Sequence, residues 1–167
     1  MHTQLNVTRR GFLAGGGMAA VGAALASSAE GAWTPKEWTA VEKANVKTVA
    51  DFLHAWETGS ADTLAGLLAD GAQARVGAHT GQPAANPEAL RKTAAQFFST
   101  SSVQFKVLET VAQGPLVVNT RIDRITSKTG VQDLHYLGVF FVKDGRIKEW
   151  SDYEVAPASP VKAGQPL

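Results

Sequence analysis

Three regimes of hydrophobic patterning succeed one another along this chain. The first, to about Ala26, is an apolar run rich in glycine and alanine with no period. The second repeats at helical spacing: Trp38, Val41, Asn45, Val49, Phe52, Leu53 and Trp56 fall within an arc of about 120°, predicting an amphipathic helix over 38–57. His54 lies nearly opposite that arc and reads as a solvated surface residue. Gly59 stops the helix, and Ser60 can cap a second one, "SADTLAGLLAD", with Leu64, Leu67 and Leu68 as its buried edge. A short extended piece "AQARV" (72–76) and a Gly/Pro-rich loop (77–86) follow. Asn86-Pro87-Glu88 then supplies a cap, a proline at the first helical position and an acidic residue at the positive end, which predicts a helix over 86–98.

From Ser102 the period becomes two, the third regime: Val103, Phe105 and Val107 alternate with Gln104 and Lys106. Strands are predicted over 102–112, 116–127, 132–143 and 146–155, separated by the turn signals "QG", "SKTG" and "KDG". Helices followed by an antiparallel meander define an α+β fold. A curved sheet closed on its concave side by helices makes a cup, a form that suits a small-molecule pocket. The expected domain runs over 36–157, and "APASPVKAGQPL" at the end has no period and reads as a flexible tail over 158–167.

Composition changes the picture mainly at the N terminus. "TRRGFL" (8–13), an apolar core of roughly 15 residues and small residues around Ala26 and Ala29 read as an export signal over 1–29, since the core is short for a membrane span. An uncleaved anchor is the alternative, opposed by that length and by the glycines. The paired Arg9 and Arg10 fit the bacterial twin-arginine type, implying a periplasmic protein. Cleavage after Ala29 removes both arginines and no acidic residue, taking the formal net charge from +1 to −1. Without a basic stripe, nucleic acid is excluded as a main partner, and stable membrane association after cleavage is not expected. The chain has no cysteine, hence no disulfide, thiolate nucleophile or lipoprotein attachment site.

Candidate chemistry concentrates in two strands. In "NTRIDRI" (119–125), Asn119, Arg121 and Asp123 share one face, while Thr120, Ile122 and Arg124 share the other. Both faces are mixed, so alternation does not decide which is inward, and a solvated ion pair is the plain alternative. In "IKEWSDYEV", Trp150 and Asp152 share a face, and an aromatic beside a carboxyl raises its pKa by desolvation. One strand should separate Asp123 from Asp152, about 10 Å in a flat sheet. A two-residue Asp144-Gly145 loop sets Leu137 opposite Asp152, with His135 and Val139 on that face; a three-residue loop substitutes Tyr136 and Gly138. His79 and His135 lack a ligand spacing such as H-x-x-x-H, so no metal is expected.

"NVKTVADFLHAWETGSADTLAGLLADGA", "TRIDRI" and "LGVFFVKDGRIKEWSDYEV" together resemble the limonene-1,2-epoxide hydrolase family of the NTF2-like, or SnoaL-like, superfamily, over about residues 43–155. The resemblance implies a cone-shaped α+β fold, a small hydrophobic epoxide as substrate, and neither metal nor organic cofactor. It assigns Asp152 as the base that activates water, Asp123 as the acid that protonates the epoxide oxygen, and Arg121 as the bridge between them. Trp150, Asn119, Tyr136, His135 and Leu137 are the expected pocket residues. The family holds its water with a tyrosine and an asparagine, where this chain aligns Ala74 and Val76; Arg75, His79, Tyr136 or Asn119 could substitute. A lyase, dehydratase or isomerase using the same acid/base pair is the second reading, and a non-catalytic periplasmic binding module the third. Relatives commonly form dimers, and a homodimer is one assembly open to this chain.

Overall fold

The computed structural model describes residues 37–75 and 85–155. The proposed signal over 1–29, the tail over 158–167, Val76 and His79 lie outside the described residues. The elements run α1 (Ala40–Glu57), α2 (Ala61–Gly66), β1 (Leu68–Arg75), α3 (Pro87–Phe98), β2 (Ser101–Gln113), β3 (Leu116–Ser127), β4 (Gly130–Lys143) and β5 (Arg146–Glu154). They form a mixed α+β fold with one five-stranded curved sheet in the order β1-β5-β4-β3-β2. Strands β2 to β5 are an antiparallel meander, and β1 joins the far edge parallel to β5.

Helix α1 starts two residues later than the apolar arc predicted, because Thr39 caps it in a capping box with Glu42. The buried face also differs from the predicted arc: Val41 is 64% exposed while Glu42 is only 3% exposed. The Glu42 carboxylate is satisfied by the Thr39 and Gly114 N–H groups, and Asn45 donates to the Gly114 carbonyl, so the helix is tied to the β2–β3 turn. Val49, Phe52 and Leu53 are buried as expected. Helix α2 is a correction: it ends at Gly66, and Leu68 belongs to β1, where it pairs with Ile147. Glycine is a poor helix former, and from Leu68 the backbone pairs parallel with β5 and does not continue the helix. Helix α3 and the four meander strands lie where the period placed them, to within two residues.

The core joins α1 to the sheet through aromatic rings. Phe52 meets Trp150 edge-on at 5.0 Å and Phe140 at 6.2 Å, and Trp150 stacks with Phe140 at 6.3 Å. Of these rings, Trp150 also lines the pocket described next.

Candidate active site

Register decides the site. Asn119, Arg121 and Asp123 of β3 stand opposite Gly138, Tyr136 and Leu134 of β4, and Gly138 stands opposite Asp152 of β5. The β4–β5 turn is the two-residue Asp144-Gly145 loop, with both residues at positive φ and Lys143 paired to Arg146. A straight ladder from that turn would set Leu137 opposite Asp152. Instead the register shifts between Phe141 and Val142, where Val142 pairs with Ile147 but Phe141 with Glu149. This bulge at Lys148 gives β5 one extra residue, so Trp150 and Asp152 turn to the same side as Ile147. His135 and Leu137 therefore stand on the other face of β4 and do not line the cavity, which corrects the sequence expectation for both.

A cavity of about 210 Å³ opens on the inner face. Its wall is formed by Leu53, Trp56, Phe97, Val103, Phe105, Ile125 and Trp150, with Thr93, Tyr136, Arg121, Asp123 and Asp152 as its polar members. Asn119 is buried but stands behind Arg121, outside that wall. Trp56, Phe97 and Phe105 were not singled out as pocket residues from sequence. Trp56 belongs to the predicted apolar arc, and Phe105 follows from alternation once β3 is oriented, since it stands opposite Asp123.

Arg121 is 1% exposed and is the hub of the polar floor. Its Nη2 donates to Asp152 Oδ2 at 2.6 Å and to Asp123 Oδ2 at 3.2 Å, and its Nη1 donates to Asn119 Oδ1 at 3.0 Å. The guanidinium crosses β4 above Gly138, and this closes the gap between the two aspartates. Its carbon lies 5.4 Å from the Phe105 ring centre and 5.7 Å from that of Tyr136. Asp152 accepts at both oxygens, since Trp150 Nε1 donates to Oδ1 at 2.8 Å. Asp123 is less well held: its Oδ1 lies 2.8 Å from Arg121 Nε but is misaligned, so neither atom has a hydrogen bond there.

The charges follow from this geometry. Two carboxyls share one guanidinium in an apolar pocket, so one proton must stay on the pair for the site to be neutral. Burial pushes Asp123 up to about 7, with the charge of Asp152 adding to the effect and Arg121 opposing it. Burial also raises Asp152, opposed by Arg121 and by the Trp150 N–H. Asp152, with the shorter hydrogen bonds on both oxygens, is the one held ionised, and Asp123 keeps the proton. Burial lowers the Arg121 pKa, but the two aspartates outweigh it and raise the value overall, so the guanidinium stays charged.

On β1, neither the position aligned with the family's water-holding pair nor the substitute beside it supplies that contact. Ala74 is buried, pairs with Trp150 and offers no hydrogen bond from its side chain. Arg75 donates to Gln73 and is not on the cavity wall. Among the described residues no group of three His, Asp or Glu gathers as a metal site, and no helix is long and apolar enough to cross a membrane.

Comparison with known proteins matches the SnoaL-like domain family over residues 49–150. No curated protein sequence is similar enough to match. Among solved structures, an LEH-like epoxide hydrolase from M. tuberculosis is similar at 23% identity, covering 68% of this chain and 84% of that one, with a TM-score of 0.62. A pinacolase, BvnE, from Penicillium brevicompactum shares 9% identity over 71% of this chain and 88% of that one, TM-score 0.64. A protein with a ketosteroid isomerase-like fold from Catenulispora acidiphila shares 14% identity over 64% and 84%, TM-score 0.58. At these identities the likeness is one of fold.

Proposed function

The chain belongs to the SnoaL-like domain family, and from that premise we propose that it is an exported, cofactor-independent hydrolase that adds water to a small hydrophobic epoxide. The observation that carries this reading is Arg121 bridging two buried carboxyls on the floor of an apolar cavity. Epoxide opening needs a base to take a proton from water while an acid gives one to the ring oxygen. Asp152, ionised by Arg121 and the Trp150 N–H, is the base. Asp123, protonated up to about pH 7, is the acid. Water oxygen bonds to carbon as the ring C–O bond breaks; Asp152 receives the water proton and Asp123 delivers its own. Arg121 touches both aspartates and keeps its charge through this exchange. The volume, against ~150 Å³ for an apolar cavity that takes benzene, suits a single-ring substrate with one polar end.

A second reading, an isomerase, lyase or dehydratase using the same pair, is favoured by Ala74, which leaves β1 without a water-holding side chain. A binding module would need neither the two carboxyls nor their bridge. The test incubates the protein with terpene and aryl epoxides in ¹⁸O water. Labelled diol that disappears in Asp152→Asn supports hydrolysis. Unlabelled carbonyl product would shift the reading to isomerisation, and no turnover of any epoxide would overturn it.

A further inference from the structure

The hydrolytic reading leaves one functional role vacant. A nucleophilic water that gives one proton to Asp152 needs a second hydrogen-bond partner to aim its lone pair at carbon. Four substitutes for the missing tyrosine and asparagine are conceivable on sequence. Asn119 accepts from Arg121 and Arg75 donates to Gln73, and both stand outside the cavity wall. His79 lies outside the described residues. Tyr136 is left.

Tyr136 has the required placement. It stands directly opposite Arg121 on the neighbouring strand and diagonal to Asp123; across the other edge of β4 it pairs with Glu154, which puts it diagonal to Asp152. Diagonal positions on one face lie ~7–8 Å apart, within reach of an aromatic side chain. Its half-buried ring lines the cavity. Burial first, then the charges of Glu154, Asp123 and Asp152, push the phenol above its ordinary value, so it stays a neutral hydroxyl. Among the described residues nothing hydrogen-bonds that hydroxyl, and it is not one of the buried polar atoms left without a partner. It is thus both unpaired and accessible. Thr93 is the other hydroxyl on the wall, but it is exposed on α3, across from the sheet that carries both aspartates.

We propose that the Tyr136 hydroxyl holds the attacking water together with Asp152, supplying from β4 the contact that Ala74 does not supply from β1. The phenol oxygen accepts the water hydrogen that Asp152 does not take. This proposal rests on the hydrolytic reading, and it concerns a single oxygen atom.

Tyr136→Phe isolates that atom, because the ring over Arg121 remains. The expected result is a fall of about tenfold or more in kcat for diol formation, with KM little changed and the unfolding midpoint retained. Any carbonyl product formed by rearrangement should fall less, since it needs no water. Equal loss of both products would instead place the hydroxyl on the substrate oxygen and overturn the proposal, as would unchanged kcat. A crystal structure of the unliganded protein gives a readout independent of turnover: an ordered water within hydrogen-bond distance of both the Tyr136 hydroxyl and Asp152, absent in Tyr136→Phe. If the wild type turns over no epoxide yet shows that water, the reaction assignment fails and the water site stands. If the water bridges other groups, the water site fails whatever the reaction.

Discussion

A methyl group at position 138 would reach into the bridge that joins the two aspartates. A Cβ built on Gly138 collides with Arg121 Nη1 and comes within 2.8 Å of both Asn119 Oδ1 and the Phe140 ring. Its φ is not in the left-handed region, so the requirement is for space above the strand and not for backbone freedom. Gly138→Ala should destabilise the protein by about 1–3 kcal/mol through overpacking and, by displacing the guanidinium, lower turnover by ~10²-fold. Urea denaturation and steady-state kinetics check the two effects. An alanine variant as stable and active as the wild type would mean that Arg121 does not need this path. At the same scale, Glu42 shows what a residue type conceals. It looks like a surface charge in an amphipathic pattern, yet it is buried because two N–H groups of different elements converge on it.

That convergence belongs to the scale of elements. Glu42 and Asn45 fasten α1 to the β2–β3 turn at Gly114, where the backbone is at positive φ. Glu42→Ala should leave the Thr39 and Gly114 N–H groups without this acceptor, costing about 1–3 kcal/mol, whereas Glu42→Gln, which keeps a side-chain carbonyl, should cost less. The urea midpoints of the two variants measure this; equal midpoints would show that acceptance at Gly114 contributes nothing. The β4–β5 hairpin makes a different point. Its turn was legible in "KDG", but the bulge at Lys148 was not, because a bulge has no local signature beyond strand-compatible residues. It arises where Ile147 and Trp150, three residues apart, must both enter the core, 0% and 3% exposed. One extra residue inverts the face of everything beyond it. Of the expected pocket residues on β4, His135 and Leu137 leave the pocket and Tyr136 stays in it. On β3 the two faces are resolved by partners: Arg121 turns inward to the aspartates, and Arg124 turns outward to a bidentate pair with Asp133 at 2.8 and 2.7 Å.

For the molecule as a whole, the buried pair links stability to pH. Burial pushes Asp123 up to about 7 in the folded protein, against 3.8 for an aspartate free in the unfolded chain. Between about pH 4 and pH 7 the native state therefore holds a proton that the unfolded state has released, so stability falls as pH rises across that window and levels off above it. Asp152, also raised by burial, acts in the same direction. Asp123→Asn, a neutral isostere, should weaken the slope and should have a higher urea midpoint than the wild type at pH 8, while the two are alike near pH 4. Unfolding curves at pH 4, 6 and 8 test this, and parallel pH profiles would show that Asp123 is not the group responsible.

The sequence by itself determined the α+β class, the order of helices before a meander and the family to which the pattern points; Arg121, Asp123 and Asp152 were singled out by that resemblance, not by period. The class and the element order rest on period and residue type, which local sterics translate directly into helices and strands. Tertiary structure decided which face is inside, because both faces of β3 are mixed and only the packing of the rest of the fold distinguishes them. It also decided that Leu68 is strand, that Glu42 is buried, and that a bulge and a glycine together let one arginine reach across a strand. Those outcomes depend on groups far apart in the chain competing for the same backbone partners and the same core volume, and no window of sequence contains both competitors.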